Sequence, residues 1–376
     1  MTLDGLERAG LALLGREWML HGHLQDRVAM ALVLEVADRE TMQDVAIEEW
    51  MAASPVYSRR MQRAMRFVGT GVETIFKNLQ LDIGAPHQFL DFRFRLDDAD
   101  HGEFWLAHCG ALMDVEPMGE QFVHGMCHTI EDPTFDATAG ATNPLAQVRP
   151  IHRPPRVPAD RVPHCAWRVD VVAGGSDVQP TELEGVVSLS AAAQLPLPSY
   201  DGAGPGWHDY SGPFDPDFCL EDLSLSGLRV VLDELALQSH LLLRSLLLAV
   251  ERRFGAERRA EWMPRIVRGW CGLTSQRIRD AFALPETLEG ARTLLALHPM
   301  LHPFAYTGFR LDGDRVVLGP VLDDDGSTWL GSPEVLEPVL QAAFPSARLS
   351  EDLVLSVGSA PAQLPPELFI AQISTG

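Results

Sequence analysis

Three pairs of adjacent histidine and cysteine fall in one stretch of the chain: His108-Cys109, Cys127-His128 and His164-Cys165. A thiolate beside an imidazole is the minimum for nucleophilic catalysis, because a neighbouring base or cation raises the thiolate fraction. The same residue types are preferred ligands of zinc and similar metals. Neighbours in a strand point to opposite faces, so only one member of His108-Cys109 or His164-Cys165 can face a given pocket. We expect the cysteines to face in. A helix predicted over 117–131 would carry Glu120, His124, Cys127, His128 and Glu131 on one arc, with Phe122, Val123, Met126 and Ile130 opposite. As a catalytic set, Cys109 and Cys127 offer the nucleophile, His128 the general base and Glu131 a neighbouring carboxyl. As a metal set, His124 and His128 stand at i and i+4, with Cys127 and Cys165 as further ligands and zinc or iron as the ion. The plain alternative is three buried, inert thiols.

Arg149, His152 and Arg153 lie in the stretch VRPIHRPPR, beside the cysteine cluster. Arginine forks recognise carboxylates, so this stretch is the candidate for holding an acidic small-molecule substrate. Its alternative is salt bridging to the many acidic residues. The chain has no Gly-rich phosphate loop, GxSxG elbow, dinucleotide fingerprint, CxxC pair or HExxH.

The elements that must position these residues occur twice. HQFLDFRFRLD at 87–97 returns as HPFAYTGFRLD at 302–312, with six identities in eleven positions at an offset of 215. At an offset of 217, Leu11, Glu17, Leu20, His23, Leu24, Arg27 and Val33 match Leu228, Glu234, Leu237, His240, Leu241, Arg244 and Val250. Ser58, Arg60 and Ala64 likewise match Ser275, Arg277 and Ala281. Array repeats have periods of about 20–50 residues, so this one signals whole domains. Residues shared by both halves, such as Glu17, His23 and Arg27, read as scaffold, whereas the His/Cys cluster has no counterpart in the second half.

In each copy, periodicity predicts helices, then an antiparallel hairpin, a helix and more extended chain. Helices are expected at 5–37, 41–54, 56–79 and 117–130. Strands are expected at 88–97, 103–109, 148–153, 165–172 and 182–190. In the second copy helices fall at 225–254, 257–270, 273–297 and 332–344, with a hairpin at 304–311 and 314–321. The fold class is therefore α+β, two tandem copies of one module related by a pseudo-twofold. The first copy spans 1–191 and the second 223–376. Between them, 192–222 is rich in Pro, Gly and aromatics, and is expected to pack along the surface or, as the alternative, to cover a pocket.

The 376 residues carry a net charge of −22 with 46% apolar content. That composition is globular and soluble, and it argues against nucleic acid or an anionic membrane as partner. No apolar run reaches the roughly 18 residues of a spanning helix, and the N-terminus does not read as a secretory signal. Five cysteines in such a chain read as reduced thiols in a cytoplasm. The two copies make a pseudo-dimer, and a homodimer is compatible with it.

The order around the cysteines resembles the L-2-amino-thiazoline-4-carboxylic acid hydrolase-like proteins of bacteria. The resemblance covers about residues 75–172. It rests on a strand ending in Cys109, a helix ending in Cys127-His128-Thr-Ile-Glu131-Asp132, the stretch Asn143-Pro144 to Val148-Arg149, and a strand opening at Cys165 with Trp167-Arg168. It implies that Cys109 and Cys127 carry the chemistry. The leading expectation is thus a hydrolase acting on a C=N or thio-imidate bond of a small acidic molecule. A metal- or haem-binding redox protein and a non-catalytic ligand-binding or scaffold protein are the alternatives.

Overall fold

The computed structural model describes residues 3–174, 177–202, 204–318, 333–350 and 353–357. The chain is mixed α+β with antiparallel sheets. Helices α1 (Arg8–Met19) and α2 (His21–Leu34) are separated by Leu20 alone, which keeps helical angles. Helix α3 (Arg39–Ala64) opens at Asp38, whose carboxylate accepts the Thr41 N–H at 2.8 Å. Asp38 is thus the cap, and the helix opens two residues before the expected 41. The expected break at 55 does not occur: α3 runs through Pro55. An internal proline costs about 3 kcal/mol, which packing along the long helix of the second half offsets. Helix α4 (Val72–Leu79) follows.

The expected hairpin forms as β1 (Leu90–Leu96) and β2 (His101–Cys109). The single helix expected over 117–131 does not. Instead come α5 (Gly110–Val115), α6 (Glu120–His124), a π-helical turn at Gly125–Ile130, and α7 (Glu131–Gly140). Strands β3 (Ala146–His152) and β4 (Cys165–Val171) complete an antiparallel sheet of order β1-β2-β4-β3. One face of the sheet is apolar: Phe92, Phe94, Phe104, Leu106, Trp167 and Val169 are buried. The other carries the charges, with Arg95 opposite Glu103 and Glu103 opposite Arg168. Helix α7 packs on β3, and Asp136 accepts the Val148 N–H at 2.8 Å.

The strand expected at 182–190 is instead α8 (Glu182–Ser188). Thr181 caps it by accepting the Glu184 N–H, and Glu182 and Glu184 favour the positive end of the helix dipole. A short α9 (Ala191–Gln194) leads into the connecting segment. Tyr210 anchors that segment: it is buried, stacks on Phe218 and donates to Gln80 Oε1 at 2.8 Å.

The second half contains α10 (Leu225–Phe254), α11 (Ala256–Ala281), α12 (Leu288–Ala296), α13 (Phe304–Thr307), β5 (Arg310–Asp312), β6 (Arg315–Val317), α14 (Pro333–Gln341), β7 (Ala347–Leu349) and β8 (Leu355–Val357). The break expected near 271 is absent, since α11 continues to Ala281. The strand expected from 304 starts as α13, and β5 begins only at Arg310. Residues 319–321 of the expected hairpin and Ser332 of the expected helix lie outside the described residues.

Helices α3 and α11 are both 26 residues long. Their first residues, Arg39 and Ala256, stand at the same offset as the matched residues of the two halves. They end alike: Arg66 (φ 56°) and Ala283 (φ 47°) take left-handed angles. Phe67 N–H then bonds Gln62 O, and Leu284 N–H bonds Arg279 O, each at 2.9 Å. His87 bonds Gln80 O, and His302 bonds Ala296 O. Across the halves, α10 packs on α3 and α11 packs on α1 and α2. The ion pairs there are reciprocal. Arg60 binds Glu234 through Nε (3.0 Å) and Nη2 (2.8 Å), while Arg277 binds Glu17 through Nε (2.7 Å) and Nη2 (3.2 Å).

Candidate functional site

A cavity of about 170 Å³ lies between α2, α3, the apolar face of the sheet and the 110–138 segment. A volume of about 150 Å³ suffices for a benzene-sized ligand. Two helical stripes face it. From α3 come Gln43, Ala46, Trp50 and Tyr57, and from α7 come Glu131, Thr134, Phe135 and Thr138. Helix α2 adds His23, Asp26 and Met30, the turn after α4 adds Asp82, and β2 ends on the wall at Cys109.

Two glycines permit this arrangement by close approach. A Cβ on Gly110 would lie 2.1 Å from the Phe89 ring, and one on Gly125 would lie 2.2 Å from Gln43 Nε2. The π turn that starts at Gly125 explains why the expected arc splits. An added residue per turn shifts the register. Cys127 is buried, Met126 and Ile130 line the cavity, and Glu131 reaches it from the start of α7. Glu120 and His124 remain exposed.

The polar content of the cavity is mostly acidic. Tyr57 Oη donates to Asp82 Oδ1 at 2.8 Å, and Gly84 N–H donates to the same oxygen at 2.7 Å. Trp50 Nε1 donates to Asp26 Oδ2 at 3.0 Å. Behind Asp26, the fully buried Glu49 accepts a short hydrogen bond from Gln25. Asp26 Oδ1, Glu49 Oε2 and Glu131 Oε2 are buried without a hydrogen-bond partner. Burial drives every one of these acids toward its neutral form. It pushes Asp82 up to about 6 and Glu131 up to about 8, the latter against the pull of Arg153. Asp26 and Glu49 are raised by burial, and Glu49 further by the charge of Asp26, so the pair holds a proton at neutral pH. Burial lowers His23 to about 4, leaving it a neutral ring bonded to Gly84 O. No Lys or Arg lines the cavity among the described residues.

Cys109, Cys127 and Cys165 lie in one apolar cluster, as the inward-facing expectation requires. Burial, then the charge of Glu131, raises each thiol: Cys109 to about 12, and the other two well above the ordinary thiol range. Cys109 Sγ accepts the Leu112 N–H at 3.3 Å. Of the three, Cys109 alone lines the cavity. His164 is held by the Cys109 N–H on its Nδ1 (3.1 Å) and by Arg156.

The other expected site residues lie elsewhere. His128 bonds Pro154 O at 2.7 Å and stacks on His124 at 4.2 Å, outside the cavity. Arg149 is paired with Asp136 at 2.8 Å and Arg153 with Asp132. His152 is half-buried and lowered by burial and by Arg161. His124 and His128 stack on each other, while Cys127 and Cys165 lie in the apolar cluster. Among the described residues, no group of three or more His, Cys, Asp or Glu is arranged to hold a metal ion.

Reading the sequence for cysteine and histidine missed Gln25, Asp26, Glu49, Tyr57 and Asp82. A signal existed in the comparison of the two halves. At the offset of 217, Gln25, Asp26, Glu49 and Asp82 stand against Leu242, Leu243, Ile266 and Pro299. Each of those four is buried. The cavity beneath α11 and α12 in the second half is apolar and only about 20 Å³. Comparison with protein-family models, with curated proteins and with solved structures finds no match.

Proposed function

We propose that this protein is an enzyme acting on a small cationic molecule with a C=N bond, such as an amidine, in the cavity of its first half. The observation that carries this is a pair of buried carboxyl oxygens, Asp26 Oδ1 and Glu131 Oε2, unpartnered in an apolar space that no basic chain lines among the described residues. A cation supplies what they lack: on its arrival Glu131 releases its proton to solvent, and the added positive charge lowers the cost of a Cys109 thiolate. Glu131 then accepts the Cys109 proton. The sulfur adds to the C=N carbon, Glu131 passes the proton it took to one nitrogen, and that nitrogen leaves as ammonia. Water completes the cycle by displacing the sulfur from the thioimidate. The net change is amidinium plus water to amide plus ammonium.

This reading keeps the C=N chemistry that the family resemblance implies, and it moves the base from His128 to Glu131. It also replaces the acidic substrate by a cationic one, because the charges of Arg149 and Arg153 are already met by Asp136 and Asp132. We further infer that the two halves are copies of one module. The recurring αL turns after α3 and α11 and the reciprocal pairs Arg60–Glu234 and Arg277–Glu17 support this. Isologous contacts of that kind are what a twofold produces. Free thiols throughout suit a reducing cytoplasm.

Ammonia release from benzamidine and propionamidine tests the activity. Cys109→Ser is expected to lower kcat at least 100-fold while amidines still raise the melting temperature. Equal turnover by that variant, or stabilisation by benzoate in place of benzamidine, would sink the proposal.

A further inference from the structure

We infer that the ligand is a linear dication, with a second protonated nitrogen at the end of an aliphatic chain, held by Asp26 while Glu131 holds the C=N end. This rests on the cationic reading of the cavity. Three acids line it, and their oxygens are not equivalent. Asp82 Oδ1 already accepts from Tyr57 and Gly84, so that oxygen is committed to positioning the wall. Asp26 Oδ1 and Glu131 Oε2 remain. They belong to different walls: Asp26 to α2, Glu131 to the junction of the π turn and α7.

The surroundings of the two oxygens differ as well. Asp26 has the indole of Trp50 bonded to its other oxygen and Glu49 behind it. A second carboxyl beside the first suits a compact ammonium. Glu131 lies within electrostatic reach of Cys109, so the reacting carbon belongs at that end. Between them the lining is apolar, with Met30, Met42, Phe122, Met126 and Ile130. Methylene groups fit there and a neutral polar linker does not. The volume suits a chain of about six non-hydrogen atoms, the size of benzene or of 1,4-diaminobutane. A monocation would leave one buried oxygen orphaned and so bind more weakly.

Calorimetric titration with unreactive probes tests this. The series is 1,3-diaminopropane, 1,4-diaminobutane and 1,5-diaminopentane, against 1-aminobutane and 1,4-butanediol. The best diamine is expected to bind at least tenfold tighter than the monoamine. Asp26→Asn and Glu131→Gln should each remove most of that advantage, and monoamine affinity should fall in only one of them. A monoamine that binds as tightly as any diamine overturns the dication and leaves the cationic site standing. If no amine binds, both readings fall. Should either variant fail to fold, the length series on the unaltered protein still decides.

Discussion

A carboxyl that folding buries and strips of partners behaves unlike a surface acid, and Glu131 is the case to test. Its folded form holds its proton up to about pH 8, whereas the unfolded chain releases it near the ordinary 4.5. Between those values the unfolded state binds fewer protons, so stability falls as pH rises. Glu131→Gln should therefore melt several degrees above the unaltered protein at pH 8.5 and level with it at pH 4.5. A gain of the same size at both pH values would mean that packing, not ionisation, is responsible. Of the residues that their types single out in the sequence, Glu131 and Cys109 line the cavity. Their companions Asp26 and Asp82 were invisible to a search by residue type, because a lone Asp on an amphipathic helix or in a turn reads as solvated surface.

At the scale of elements, two sequence-matched ion pairs have different surroundings. Arg60 and Glu234 are 2% and 0% exposed, and Arg60 Nη1 also donates to Ala193 O and Leu195 O. Arg277 is exposed. Breaking a buried pair by removing one partner costs about 3–5 kcal/mol, against about 0–1 kcal/mol for an exposed one. Arg60→Ala should thus lower the melting midpoint strongly and Arg277→Ala scarcely at all. Comparable losses in the two melting curves would refute the distinction. Element types were legible where periodicity was long: α10 spans the residues expected of it, and the first hairpin lies within a few residues of its prediction. The misses were local. Thr181 turned a β-like apolar run into α8, and a π turn broke the single helix expected over 117–131.

At the scale of the whole molecule, the interface between the halves buries histidines. His21 stacks on Trp270 at 4.0 Å and meets His298 edge-on at 6.0 Å, while His240 bonds His302 O. Burial lowers His21 well below 6.5, and His240, His298 and His302 to about 4. The unfolded chain binds more protons than the fold from pH 6.5 downward, so these groups remove stability as pH drops toward 4. The cavity acids act in the opposite sense as pH rises to 8. A maximum of thermal stability near pH 6 is expected, and a melting temperature that climbs steadily to pH 9 would exclude it. No helix among the described residues is long and apolar enough to cross a membrane. What the sequence determined by itself was the alternation of α and β character, because side-chain period and backbone geometry are local properties. Which thiol meets open space, which carboxyl loses its water, and which arginines find an acidic partner were decided only by tertiary structure. Desolvation depends on what the rest of the chain stacks around a group, and no spacing along the chain encodes that.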